Sequence, residues 1–224
     1  MVLLAHRGNV RGPAGRAENS LGLIREALGF GFGIETDIRR TDDGRFYISH
    51  DRQNCPEPPL ADQHACSWCQ SPDLPIALNI KELGYEAELL AFLAGHGVLQ
   101  QVFLFDMEML EQTQGETARL FRSLHPTVRL AARVSDRGGE TIEQALSIEC
   151  AQIIWLDEFD SLWLRQPDIR RLKEAGKVLY AISPEIHGFP LEVAQRRWVE
   201  FAVWGVDGIC TDWPIEARRI LRED

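Results

Sequence analysis

The sequence predicts an α/β protein folded as a closed (β/α)8 TIM barrel. Three observations predict it. Short apolar runs of β character alternate with longer helical stretches from end to end, there are eight such runs, and no composition shift divides the chain. Residues 1–224 therefore read as one domain, slightly under the ~250 residues typical of this barrel. The competing open doubly wound sheet is disfavoured, because no glycine fingerprint of a dinucleotide site follows the first run.

In chain order, the runs predicted as strands are Val2–Ala5, Gly33–Ile38, Ile76–Ile80, Val102–Phe105, Val128–Ala132, Ile153–Leu156, Val178–Ile182 and Gly208–Cys210. Helical patterns fill the intervals at Ser20–Phe30, Glu86–Gly95, Met109–Leu124, Thr141–Ser147, Pro167–Ala175 and Leu191–Trp204, and Pro214–Leu221 closes the chain. Arg45–Ser49 reads as a short extended piece after the second strand. The segment Arg52–Pro75 breaks the rhythm. It carries Pro56, Pro58, Pro59, Pro72, Pro75 and three cysteines, and is predicted to be an irregular Pro/Cys-rich loop over 52–75, of the kind that serves as a lid or binding element.

Composition narrows the function. With 45% hydrophobic residues the chain holds enough apolar side chains for one sizeable core. A net charge of −10 repels a duplex or an anionic membrane surface, so no nucleic-acid partner is expected. No apolar run approaches the ~20 residues of a membrane helix, so no integral membrane association is expected either. His6 and Arg7 come too early for a signal peptide, which makes a cytoplasmic location the expectation. The five cysteines, an odd count, argue against a disulfide framework. Cys55, His64, Cys66 and Cys69 are chemically able to bind structural zinc, but their spacing matches no known finger and reads more simply as reduced thiols. Oligomeric state is not legible.

In a barrel of this type the site forms where strands end at their C-terminal face. Glu35 and Asp37 alternate with Ile34, Thr36 and Ile38, so both carboxylates share the face turned from the helices. Two like charges buried together call for a cation or a proton, and oxygen donors suit magnesium or calcium. Asn79 and Lys81 share the inner face of the next strand, the amide as a further metal ligand and the ammonium as a phosphate contact, or as an ion pair with Glu35. His6 and His50, each at the exit of an extended run, are the proton-transfer candidates. Arg7 offers a fork for phosphate or a salt bridge to Glu18, and Arg133 ends the fifth strand as a further phosphate-binding candidate. His187 follows the seventh strand on a site-facing loop.

The ordered set His6-Arg7-Gly8, Glu18-Asn19-Ser20, Glu35-Thr36-Asp37, His50-Asp51 and Gly205–Pro214 resembles the glycerophosphodiester phosphodiesterase family, which belongs with the phosphatidylinositol-specific phospholipases C on a (β/α)8 barrel. The resemblance spans nearly the whole chain. It implies a metal-dependent hydrolase of a small phosphodiester, with His6 and His50 as the acid–base pair, Glu35 and Asp37 as ligands of one divalent cation, and Arg7 on the phosphate. Two departures stand out. The family's Glu-x-Lys is here Asn79-Ile80-Lys81, which removes one negative charge from the metal site. The insertion that family members often carry after the His-Asp motif is here only the Pro/Cys-rich segment. Two alternatives follow: a phosphate-ligand binding protein impaired in catalysis, and a lyase that stops at a cyclic phosphate.

Overall fold

The computed structural model describes residues 1–52 and 60–223. The strands are β1 (Val2–His6), β2 (Gly33–Arg40), β3 (Phe46–Ile48), β4 (Ile76–Ile80), β5 (Val102–Phe105), β6 (Arg129–Ser135), β7 (Ile153–Asp157), β8 (Val178–Ile182) and β9 (Gly208–Thr211). The helices are α1 (Leu21–Gly29), α2 (Ala61–Trp68), α3 (Glu86–Gly95), α4 (Glu116–Leu124), α5 (Ile142–Ser147), α6 (Gln166–Glu174), α7 (Leu191–Trp204) and α8 (Pro214–Glu223). The sheet runs β1-β9-β8-β7-β6-β5-β4-β2, and β1 pairs with β2 to close it. Every pairing around the ring is parallel; β3 is an antiparallel flap on β2, through Ile38–Ile48 and Arg40–Phe46. The (β/α)8 barrel expected from the alternation is the fold.

Strand alternation separates two cores. Inside the barrel lie Leu4, Ala77, Phe103, Phe105, Ala131, Trp155, Tyr180 and Cys210, with small residues beside the aromatic ones. Outside, between strands and helices, lie Ala5, Ile34, Leu78, Leu104, Leu130, Ile154, Leu179 and Ile209. Gly208 is demanded by this packing: a Cβ there would sit 2.4 Å from the Tyr180 ring. Among the described residues no helix is long and apolar enough to cross a membrane.

Three expectations are corrected. The segment 52–75 is not wholly irregular, because α2 occupies Ala61–Trp68 and buries Ala61, His64, Ala65 and Trp68 at helical spacing. The flanking prolines hid this short amphipathic pattern; residues 53–59, with Cys55, Pro56, Pro58 and Pro59, lie outside the described residues. The helix expected over Met109–Leu124 is a 3-10 turn at Met107–Met109 followed by α4. It breaks at Gly115, which takes φ +79°, while Glu111 accepts from the backbone N–H of Gly115 and, at 2.7 Å, that of Thr117. The fifth barrel strand runs to Ser135 instead of Ala132, because its ladder with β7 continues through Arg133–Trp155 to Ser135–Asp157.

Candidate active site

The barrel's closure sets the geometry. Pairing of β1 with β2 places His6 opposite Glu35, and β2 with β4 places Asp37 opposite Asn79. On the other side β1 pairs with β9 through Ala5–Thr211, so the first and last strands bring His6 and Asp212 together. His6, Arg7, Glu35, His50, Asn79, Lys81 and Arg133 line one cleft of about 180 Å³ at the C-terminal mouth. Asp37 is buried just beneath, bonded to Lys81 and Asn19. A wider groove of about 640 Å³ shares Arg7 and His50 with this cleft.

His6 hydrogen-bonds through Nδ1 to Asp212 Oδ1 at 2.8 Å, and its Nε2 lies 3.9 Å from Glu35 Oε2. Burial opposes charge on the ring, but the Asp212 hydrogen bond and the Glu35 charge outweigh it, so the imidazole is held above its ordinary value. Burial, reinforced by the Asp37 charge, pushes the Glu35 carboxyl up to about 7. Asp37 goes the other way. Its burial is overcome by Lys81, 3.0 Å from Oδ1, by Arg7, whose Nε lies 3.6 Å from Oδ2, and by the Asn19 amide at 2.8 Å. Lys81 thus pairs with Asp37, not Glu35. Arg7 also bridges to Glu18 at 3.1 Å while its side chain stays at the cleft.

His50 sits across the cleft and is more open, with its side chain 44% exposed. Its Nδ1 is 2.9 Å from Asp51 Oδ1, and Arg39 donates to its carbonyl at 2.7 and 3.0 Å. That clamp fixes the main chain and leaves Nε2 without a partner among the described residues. Arg133 enters from the opposite wall between Asp106 and Asp157, at 2.7 Å from Asp157 Oδ2. Two carboxylates hold its guanidinium, as Glu18 and Asp37 hold that of Arg7, so both arginines reach the cleft already paired.

Non-glycine positive φ among the described residues occurs at Arg7 (50°), Asn19 (63°) and Asp106 (71°), and all three serve this mouth. The strain holds Arg7 over Asp37, turns the Asn19 amide onto it and aims Asp106 at Arg133. Sequence reasoning did not assign roles to Asn9, Asn19, Asp212 and Glu185. Asn9 donates to Asp212 Oδ1 at 2.7 Å, and Glu185 accepts the Asp212 backbone N–H at 3.2 Å. Asn19 and Asp212 fall inside the motifs that carry the resemblance, which was the available signal; for Asn9 there was none.

No group of three His, Cys, Asp or Glu side chains suited to a metal occurs among the described residues. The oxygen donors at the cleft are Glu35, Asp37 and Asn79. Asn79 Oδ1 is buried with no hydrogen-bond partner among the described residues, and the Glu35 carboxylate faces no fixed cation closer than its loose approach to His6. An amide and a carboxylate oxygen in this condition fit a hard divalent ion. Lys81 and Arg7 already offset Asp37, so the two carboxylates do not by themselves demand a cation. At the suggested zinc cluster, His64 Nε2 is 3.2 Å from the Asn19 carbonyl, Cys66 and Cys69 are free and exposed, and Cys55 lies outside the described residues.

No protein-family model and no curated protein matches the chain. Solved structures do. A chain from Galdieria sulphuraria, provisionally named a glycerophosphodiester phosphodiesterase, superposes with a TM-score of 0.77 at 17% identity, covering 99% of this chain and 97% of that one. The glycerophosphodiester phosphodiesterase of Parabacteroides distasonis gives 0.71 at 17% identity over 99% and 97%. That of Thermotoga maritima gives 0.65 at 16% over 100% and 98%. The fold is that of the glycerophosphodiester phosphodiesterases. At these identities the likeness extends to the barrel and its near-complete coverage, and the chemistry has to be argued from the cleft.

Proposed function

We propose that the protein is a phosphodiester hydrolase of the glycerophosphodiester phosphodiesterase type, acting on a small phosphodiester with one divalent cation, magnesium or calcium. The observation that carries this reading is the pairing of two histidines, His6 backed by buried Asp212 and His50 across from it, over one cleft that also holds Arg7, Lys81 and Glu35.

Glu35, Asn79 and Asp37 would hold the cation, which when bound supplies Lewis-acid polarisation of a phosphate oxygen. The chain's own groups do the rest. Arg7 and Lys81 present positive charge where the phosphate enters, and charge developing on its oxygens is stabilised there in a half-closed site. With Nδ1 committed to Asp212, His6 handles a proton at Nε2. His50 handles one at its Nε2, which has no partner among the described residues. One histidine takes the proton from the attacking oxygen and the other delivers one to the departing alkoxide. Water as attacker gives a monoester; a neighbouring substrate hydroxyl gives a cyclic phosphate, and phosphorus NMR of the products separates the two.

One observation favours a second reading, a phosphate-ligand binding protein: Asn79 stands where a third carboxylate would be. Hydrolysis of bis(p-nitrophenyl) phosphate with magnesium, calcium or manganese, and with chelator, decides between them. Metal-dependent release supports the hydrolase. Tight diester binding with no release under any condition supports the binder.

A further inference from the structure

The cleft has two unlike walls. On the side of β1, β2 and β4 polar atoms lack hydrogen-bond partners among the described residues, among them His6 Nε2 and the buried Asn79 Oδ1. On the side of β5 to β8 the charged groups are matched to one another. Arg133 donates to Asp106 Oδ1 at 2.8 Å and to Asp157 Oδ2 at 2.7 Å, and His187 Nε2 lies 2.5 Å from Asp157 Oδ1. Rings cover this network. The Phe159 centroid is 4.3 Å from that of His187 and 5.2 Å from the Arg133 guanidinium carbon, and the Phe105 and Trp155 centroids are 4.3 Å apart. Met109, Ile182 and Ile186 complete the lining. His187 Nδ1 is the imidazole nitrogen this wall leaves without a partner among the described residues.

We propose that this wall is the subsite for one alcohol of the diester and that it selects an aryl, or similarly flat apolar, alcohol over a polyol. The proposal rests on the phosphodiester reading and adds to it the class of alcohol. A polyol pressed against this wall would meet charged groups already committed to one another, with His187 Nδ1 the imidazole nitrogen left open, and poorly satisfied buried hydroxyls are penalised. A flat apolar group loses nothing there and gains stacking and burial against Phe159, Met109 and Ile186. The wider groove beyond Arg7 and His50 leaves room for the second alcohol, so a substrate need be apolar at one end only.

Calorimetric titration of phenyl phosphate and of glycerol 3-phosphate, with magnesium present, tests the wall without requiring turnover. The wild-type chain is expected to bind phenyl phosphate at least ~10-fold more tightly. Phe159→Ala and Ile186→Asn, two half-buried positions, should each remove most of that preference while leaving glycerol 3-phosphate affinity within about twofold and the circular dichroism spectrum unchanged. Equal or tighter binding of glycerol 3-phosphate, absence of phenyl phosphate binding, or a phenyl preference that survives both substitutions overturns the proposal. Turnover of bis(p-nitrophenyl) phosphate is read separately. Phenyl preference without turnover sinks the hydrolase and keeps the wall; turnover without phenyl preference sinks the wall alone.

Discussion

His6 Nδ1 lies 2.8 Å from Asp212 Oδ1, a contact between residues 206 apart that exists only because the first and last barrel strands are neighbours. Asp212 is itself held by the Asn9 amide at 2.7 Å and through its backbone by Glu185. The carboxylate therefore fixes which ring nitrogen is left for chemistry. Asp212→Asn keeps the shape but releases the tautomer, and is expected to lower turnover of bis(p-nitrophenyl) phosphate by at least ~100-fold with the fold intact. His6→Ala and His50→Ala should each cost a similar factor. Steady-state kinetics beside circular dichroism checks this; wild-type rates in the two histidine variants would remove the acid–base assignment.

Asn79 offers a direct test of the cation. Its Oδ1 is a buried acceptor with no donor among the described residues, and it sits opposite Asp37 in the β2–β4 ladder. Introducing a carboxylate with Asn79→Glu adds a negative charge and a second oxygen to the proposed donor set, and should tighten magnesium or calcium binding at least ~10-fold. Asn79→Leu should weaken it. Calorimetry with the metal alone reads both. Affinities that ignore residue 79 would place the ion elsewhere or dismiss it.

The barrel was legible because its strands are short apolar runs with turn residues between them, and period-2 alternation in Gly33–Ile38 correctly put Glu35 and Asp37 on the inner face. The cleft's first wall was legible for the same reason. The second wall was not. Arg133 looks like a phosphate ligand in sequence, yet which carboxylates flank it depends on loop conformation, here the left-handed Asp106. Lys81 was offered Glu35 as a partner and took Asp37, since ladder register sets Asp37 against Asn79 and brings it nearer the end of β4. The short α2 was masked by prolines that flank it without interrupting it.

The Arg133 network predicts a stability effect distinct from catalysis. Arg133, Asp106 and Asp157 are all buried, and Arg133 alone offsets Asp106 while sharing Asp157 with His187. Arg133→Met strands Asp106, leaves Asp157 with His187 alone, and should cost roughly 3–5 kcal/mol. Adding Asp106→Asn should recover part of the loss. Urea denaturation of the single and double variants measures both, and a loss below ~1 kcal/mol would mean that the network is hydrated.

Glu108 should make stability depend on pH. It lies in the turn after β5, and both of its carboxylate oxygens are buried without a hydrogen-bond partner among the described residues. Burial, with Asp106 and Glu111 nearby, pushes it up to about 7 from an ordinary 4.5. Between those two values the folded chain holds a proton that the unfolded chain has released, so stability falls as pH rises through this window and levels off above about 7. Glu108→Gln keeps the shape and removes the titration. Its stabilising effect should be small at pH ~5 and larger at pH ~8, by roughly 1–2 kcal/mol. Urea midpoints of the two proteins at both pH values provide the check. A gain equal at both would show that the side chain matters through packing, and a loss at high pH would show that the ionised carboxylate finds a partner in solution.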